Sequence, residues 1–388
     1  MKKDKKKICF VITAQNQYAR SSLLLTELQK RKNIELSIVV AGSATLSHFG
    51  NVAIHMKGRN LVATEELQIV MEGGTPLAMA RTTGLATMEF ASAFSRLQPN
   101  VVVLRADRYE ILGAATAAAL LNIPVAHLEG GDVTGTIDES IRHAVTKLAH
   151  LHFVTNAQAY KRIERMGEPK KYIYNVGAPE VEYTAHVLAG KKVSLTHLNY
   201  EGVGAHIDFN KPYIVVMNHP VTTEYGSNKS NTQALLRAVD EEALQTIWFW
   251  PNIDAGTNEV SEAIRIFREL DDARAPIRFL KYVAPDEFLF LLQGASCLVG
   301  NSSAGIKEAS YIGTPVVNIG TRQQGRTRGK NVLDINRYDT KLIKNAIEQQ
   351  IGHGPYKQDG LYYKKGTSKR IVDVLEKETP PAQKQFND

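Results

Sequence analysis

Short apolar runs rich in β-branched residues alternate with helical stretches along most of the chain, and no other feature narrows its fold as much. Strands buried on both faces read as short apolar blocks, and the stretches between them read as crossover helices. In the first half, residues 8–13, 34–41, 101–104, 125–128 and 152–155 read as strands, with helices at 20–30, 75–97, 111–121 and 138–150. Thr75-Pro76 supplies a helix start signal. A second series has strands at 213–217, 246–250, 277–279, 297–299 and 316–318, and helices at 231–245, 258–270, 285–293 and 304–312. Single cores stop growing near roughly 250–300 residues, so 388 residues imply two domains. The expected fold class is α/β, with two Rossmann-like doubly wound domains facing across a cleft. The first spans 1–178 and the second 179–368, and residues 369–388 form a terminal helix and tail that crosses back to the first domain. Ligands of such sheets bind at strand C-termini, so the cleft is where a site belongs.

Two cysteines, Cys9 and Cys297, allow no disulfide framework, and no Cys/His spacing offers a metal site. The opening Met1-Lys2-Lys3-Asp4-Lys5-Lys6-Lys7 mimics a basic leader, but the apolar run 8–13 is too short for an export signal. The expectation is a cytoplasmic enzyme with no membrane segment. Lys+Arg 47 against Asp+Glu 40 leaves +7, mixed in sign along the chain with no basic stripe. Nucleic acid is therefore not an expected partner, whereas small anions would be attracted.

Strand ends carry the candidate chemistry. After strand 297–299, Gly300-Asn301-Ser302-Ser303-Ala304-Gly305 leads into a helix, where backbone N–H groups and the Ser302 and Ser303 hydroxyls suit a diphosphate, or merely cap the helix. Glu308 lies just over a turn on, placed either to take a ribose diol or to stand in solvent. Arg322 and Arg326 sit in a Gly-bounded loop and suit phosphate oxygens, or solvent. His219 follows strand 213–217 and Asn252 follows strand 246–250, so several loops display polar groups toward one place.

The first domain offers carboxylates. Asp107 and Arg108 follow strand 101–104, and Glu129 with Gly130-Gly131 follows strand 125–128. Two acids at adjacent strand ends look like acid/base equipment, against the plainer reading of an Asp107–Arg108 pair and a tight turn. Asp138 opens the next helix, four residues before Arg142, and is either a dipole-stabilising residue or a third carboxylate. His143 and Lys147 repeat that spacing and reach either phosphate or solvent, while His150 and His152 show no carboxylate partner and read as structural.

Taken together, Asp107-Arg108-Tyr109-Glu110, the string from His127 to His143, Asn218-His219-Pro220-Val221-Thr222-Thr223, Pro251-Asn252-Ile253-Asp254-Ala255-Gly256 and Gly300-Asn301-Ser302-Ser303 resemble the hydrolysing UDP-N-acetylglucosamine 2-epimerases of the sialic- and legionaminic-acid pathways. The likeness runs in order over nearly the whole chain. It implies the glycosyltransferase-B arrangement, a nucleotide 2-acetamido sugar as substrate, no metal or cofactor, and a homodimer or higher homo-oligomer. It makes Asp107, Glu129 and Asp138 the acid/base carboxylates, with His219 helping the leaving group. Arg20, Arg108, His143, Asn252, Ser302, Ser303, Glu308 and Arg322 become nucleotide and diphosphate contacts.

Three departures fall on the first-domain side. Gln15-Asn16-Gln17-Tyr18-Ala19-Arg20 stands where the family usually has Arg-Ala-Asp or Arg-Ala-Glu, leaving Arg20 to substitute from a shifted position. Ala44 replaces a frequent histidine, and Ala106 replaces a customary glycine. A glycosyltransferase of the same fold and a non-catalytic nucleotide-sugar binder are the competing readings.

Overall fold

A computed structural model describes residues 5–47, 52–269 and 274–385. Strands β1 (Lys6–Ile12), β2 (Ile34–Ala41), β3 (Glu65–Leu67), β4 (Val101–Arg105), β5 (Val125–Leu128), β6 (Leu151–Val154) and β7 (Ile173–Asn175) form one parallel sheet in the order β3-β2-β1-β4-β5-β6-β7. The second sheet holds β8 (Val203–Gly204), β9 (Tyr213–Met217), β10 (Gln245–Phe249), β11 (Ile277–Leu280), β12 (Cys297–Gly300), β13 (Val316–Ile319) and β14 (Val332–Ile335). Its order is β14-β13-β12-β9-β10-β11-β8, parallel except for β8. The strand order reverses between β1 and β4 in one sheet and between β9 and β12 in the other. Loops part at such switch points and open a crevice beyond the strand C-termini.

The alternation within β1 explains why both faces are covered. Ile8, Phe10 and Ile12 point to a core with Leu24, Leu25 and Leu28 of helix Gln15–Lys30. Cys9 and Val11 point the other way, to Phe90 and Phe94 of helix Pro76–Leu97 and the alanines of helix Tyr109–Leu120. Both cysteines are buried and free. Helix Thr367–Lys377 returns to the first sheet, where Ile371, Val372 and Leu375 complete the core under β1. The chain therefore passes between lobes twice, and the passages touch. Ala178 N–H donates to Tyr362 O at 2.8 Å, and Thr367 Oγ1 donates to Val176 O at 2.8 Å.

Several elements differ from the expectation. The first helix begins at Gln15 rather than residue 20, and the Gln17 side chain in its first turn folds back to accept from Thr13 N–H at 2.7 Å. The expected helix 304–312 is two pieces, Ser303–Ile306 and Glu308–Ile312, broken at Lys307. Helices Ala157–Arg165, Pro179–Leu188 and Thr340–His353 appear where none was assigned. Residue 270, at the expected end of one helix, and residues 386–388 of the tail lie outside the described residues. Among those described, no helix is long and apolar enough to cross a membrane.

Candidate active site

Four loops at the two switch points face one another, those after β1, β4, β9 and β12. Between them lie two adjoining cavities. The larger, about 270 Å³, has an apolar wall including Phe249, Val283, Phe288 and Leu289, and also takes in His219, Ser302 and Glu308. The smaller, about 100 Å³, is lined by Asp107, Glu129, Asp138 and other polar groups. Asn16, Arg20, Arg108, Asn252, Ser303 and Arg322 border both. Three guanidiniums thus form a waist between an apolar chamber and an acidic one. Eleven of the twelve expected site residues, all but His143, line one chamber or the other.

His143 lies elsewhere. Its imidazole approaches Glu139 at 3.7 Å and is one-third exposed. Five positions beyond Asp138 it has turned about 140° round the helix, away from the cleft that Asp138 faces. The other pairings also differ from those read in the sequence. Arg142 does not serve Asp138; it donates to Asp107 and, at 2.9 Å, to Asp132 O. Arg108 does not pair with Asp107 but forks onto Glu110 at 2.9 and 3.0 Å and reaches Asp254 at 3.2 Å. His152 has a carboxylate partner after all, Glu168 at 3.0 Å.

Backbone conformation sharpens the acidic chamber. Ala106 (φ 62°) and Glu129 (φ 68°) both adopt the left-handed region at strand ends, which costs a non-glycine residue about 1–2 kcal/mol each. The family's customary glycine at position 106 suits this φ. Gly135 allows the lobes to approach, since a Cβ there would sit 2.0 Å from Thr321 O of the second lobe.

The three carboxylates sit in different fields. Burial pushes the Glu129 carboxyl up, but the Arg105 guanidinium at 2.5 Å and the Lys307 ammonium at 2.5 Å outweigh it and hold the group well below the usual carboxylate range. Burial raises Asp138, with Asp254 adding to the rise and Arg322 and Arg108 opposing it. Asp107 accepts from Arg142.

On the second-lobe side, burial lowers His219 to about 3, with Arg322 adding to the effect, so its ring is neutral near pH 7. The Asn252 backbone N–H points at its Nδ1 at 3.4 Å, which assigns the proton to Nε2 and makes that nitrogen a donor. Asn252 Nδ2 donates to Asp254 at 2.5 Å. Ser302 Oγ accepts from Ala304 N–H at 3.3 Å, and Arg322 donates to Asn301 O at 3.1 Å. Arg20 reaches across to Ser303 Oγ at 3.4 Å and to Glu308 Oε1 at 2.7 Å, while Glu308 Oε2 is buried without a partner. Among the described residues no cluster of His, Cys, Asp or Glu is placed to hold a metal.

Sequence reasoning passed over Arg105, Glu180 and Lys307. Each is buried: Arg105 borders the acidic chamber beside Glu129, Glu180 borders the larger chamber, and Lys307 borders neither but bonds to both carboxylates. Isolated charges carry no periodic signal, and only the fold brings these four together.

Two facing doubly wound lobes, with an arginine waist between apolar and acidic chambers, place the site at the switch points of both sheets. Residues 26–376 match the family model described as UDP-N-acetylglucosamine 2-epimerase, and the chain belongs to that family. It is similar to UDP-N,N'-diacetylbacillosamine 2-epimerase (hydrolyzing) of Legionella pneumophila, at 32% identity over 95% of each chain. It is also similar to UDP-N-acetylglucosamine 2-epimerase of Neisseria meningitidis serogroup B, at 31% identity over 99% of each. The fold matches the crystal structure of UDP-GlcNAc 2-epimerase from Neisseria meningitidis bound to UDP-GlcNAc, with TM-score 0.79 and 16% identity over 96% of this chain and 100% of that one.

Proposed function

We propose that the protein is a hydrolysing 2-epimerase acting on UDP-N-acetylglucosamine or UDP-N,N'-diacetylbacillosamine, yielding UDP and the free 2-epimeric N-acetylmannosamine-type sugar. The observation that carries this reading is the waist of Arg20, Arg108 and Arg322 between the two chambers. A diphosphate held there puts its nucleoside against Phe249, Val283 and Phe288 and its sugar among Asp107, Glu129 and Asp138. The free Oε2 of Glu308, in the wall of the nucleoside chamber, suits a ribose hydroxyl.

The chemistry needs a base on C2 and stabilisation of a departing diphosphate. A carboxylate takes the C2 proton, the C2–H electron pair forms the C1–C2 double bond, and the C1–O pair leaves with UDP. Water then adds across the glycal, hydroxyl to C1 and a proton to C2 on the opposite face. One water is consumed per UDP released. The guanidiniums meet the charge growing on the diphosphate, and the Nε2–H of neutral His219 adds a hydrogen bond to it. Asp138, raised by burial, is suited to carry a proton, and Glu129 to remain an anion.

The test is incubation with each substrate in deuterated water. The reading expects UDP and a C2-inverted sugar carrying deuterium at C2; release of unlabelled, uninverted sugar overturns it.

A further inference from the structure

We propose that Lys307 is a positioning residue that ties the charge on Glu129 to the apposition of the two lobes. The inference rests on the reading of Glu129 as part of the acid/base set. Lys307 is 1% exposed and borders neither chamber, so it acts on a ligand only through other residues. It comes from the second lobe, where the helix is interrupted at Lys307 itself (φ −105°, ψ −68°). From there its ammonium reaches Glu129 Oε2 at 2.5 Å, Glu180 Oε1 at 2.7 Å and Asp132 Oδ2 at 3.8 Å, and lies 5.7 Å from the centre of the Tyr362 ring.

The charge inventory makes the dependence specific. Glu129 and Asp132 from the first lobe, with Glu180 from helix Pro179–Leu188, gather three buried carboxylates. Arg105 of the first lobe contacts Glu129 and Glu180, each at 2.5 Å. The other two cations of the cluster, Lys307 and Arg326, belong to the second lobe, and Arg326 lies 3.2 Å from Asp132. Arg20 and His127 also face Glu129; Arg20 is bonded to Glu308, and buried His127 is neutral at pH 7. With the second lobe in place, three carboxylates meet three cations. Without it, the three keep Arg105 and, released from Glu308 of the second lobe, Arg20, one cation fewer, which strengthens their hold on a proton. Glu129 and Glu180 each hold one oxygen on Arg105 and the other on Lys307, so both lose a partner, and of the two Glu129 is the one that lines the acidic chamber. The anionic form of Glu129 is thereby favoured when the two lobes are apposed.

The experiment compares wild type, Lys307→Arg, Lys307→Met and the charge-balanced Lys307→Met/Glu180→Gln in two measurements. The first is thermal unfolding against pH. If Lys307 acts through charge, Lys307→Met leaves a carboxyl with a raised folded value, which stabilises only at low pH. The gap in Tm below wild type then widens as pH rises from about 4.5 to 8, and closes in Lys307→Arg and the double variant. A gap of constant size across that range marks a packing role and overturns the proposal. The second is the pH profile of UDP-sugar turnover. The acid limb of kcat moves up by about one unit or more in Lys307→Met and returns in Lys307→Arg, with the Kd for UDP within about threefold of wild type. An acid limb unmoved in Lys307→Met also overturns the proposal. Should Lys307→Met fail to fold, the double variant carries both measurements, and must then show near-wild-type stability and an acid limb close to that of wild type. A wild-type protein that turns over no UDP-sugar, yet shows the widening gap, removes the enzymatic reading and leaves the electrostatic tie standing.

Discussion

Arg20 of the first lobe and Glu308 of the second are joined at 2.7 Å across the cleft, at the waist between the two chambers. Both side chains are largely buried, and Arg20 also reaches Ser303. The Arg20 guanidinium is thus held in place by a second-lobe carboxylate. It is preorganised at the cost of having to share its hydrogen bonds.

Replacing Arg20 by alanine removes the guanidinium proposed to hold the diphosphate and leaves Glu308 unpaired. We expect UDP to bind about 10- to 100-fold more weakly, given roughly 1.5–3 kcal/mol for a hydrogen bond to a charged group. Calorimetric titration with UDP checks this, and an affinity equal to wild type removes Arg20 from the diphosphate site.

Asp138→Asn keeps the shape of the acidic chamber while removing a proton carrier. Turnover is expected to fall by about 10²–10⁴-fold with the Kd for UDP nearly unchanged. Loss of C2 deuterium incorporation in parallel with UDP release is the accompanying sign. A variant that retains most of its turnover excludes Asp138 from proton transfer.

Two histidines make the protein acid-sensitive. Burial lowers His127 to about 4 and His219 to about 3, from an ordinary 6.5. Between those values and 6.5 the unfolded chain binds protons that the folded one refuses, so stability falls as pH drops below about 6.5 and is flat with respect to these groups above about 7.5. Urea midpoints from pH 4.5 to 8 test this, and His127→Gln should reduce the slope. Since His219 stays neutral through that range, His219→Gln should lower turnover without moving either limb of its pH profile.

Ala106 bears a strained φ of 62° where glycine has no penalty. Ala106→Gly should raise stability by up to about 1 kcal/mol, the left-handed penalty relieved less the added chain entropy of glycine. That corresponds to a rise in Tm of about 1–3 °C. A fall in Tm shows that the Cβ packs to greater effect than the strain it causes.

The central strands were legible because each is a short apolar block with its switch-point loop directly behind it, as in β9 followed by His219. The edge strands were not: Glu65–Leu67 and Val203–Gly204 are too short to show a period. Asp107, Glu129 and Asp138 were readable as acids at strand and helix ends. Their partners were not, because Lys307 lies 178 positions from Glu129 and a lone lysine in a helix reads as solvated. Local spacing also misled at Arg142, whose guanidinium goes to Asp107 in the loop after β4 of the same lobe rather than to Asp138 one turn back on its own helix.

The paired passages near Val176 and Thr367 have a mechanical consequence. Two backbones clasped side by side join the lobes at one place through two covalent passages. A single proteolytic nick within residues 364–366 would leave the halves attached, and the first half expressed alone would lack the last helix that completes the core under β1. Any change in the gap between the lobes is therefore carried through these two bonded passages together.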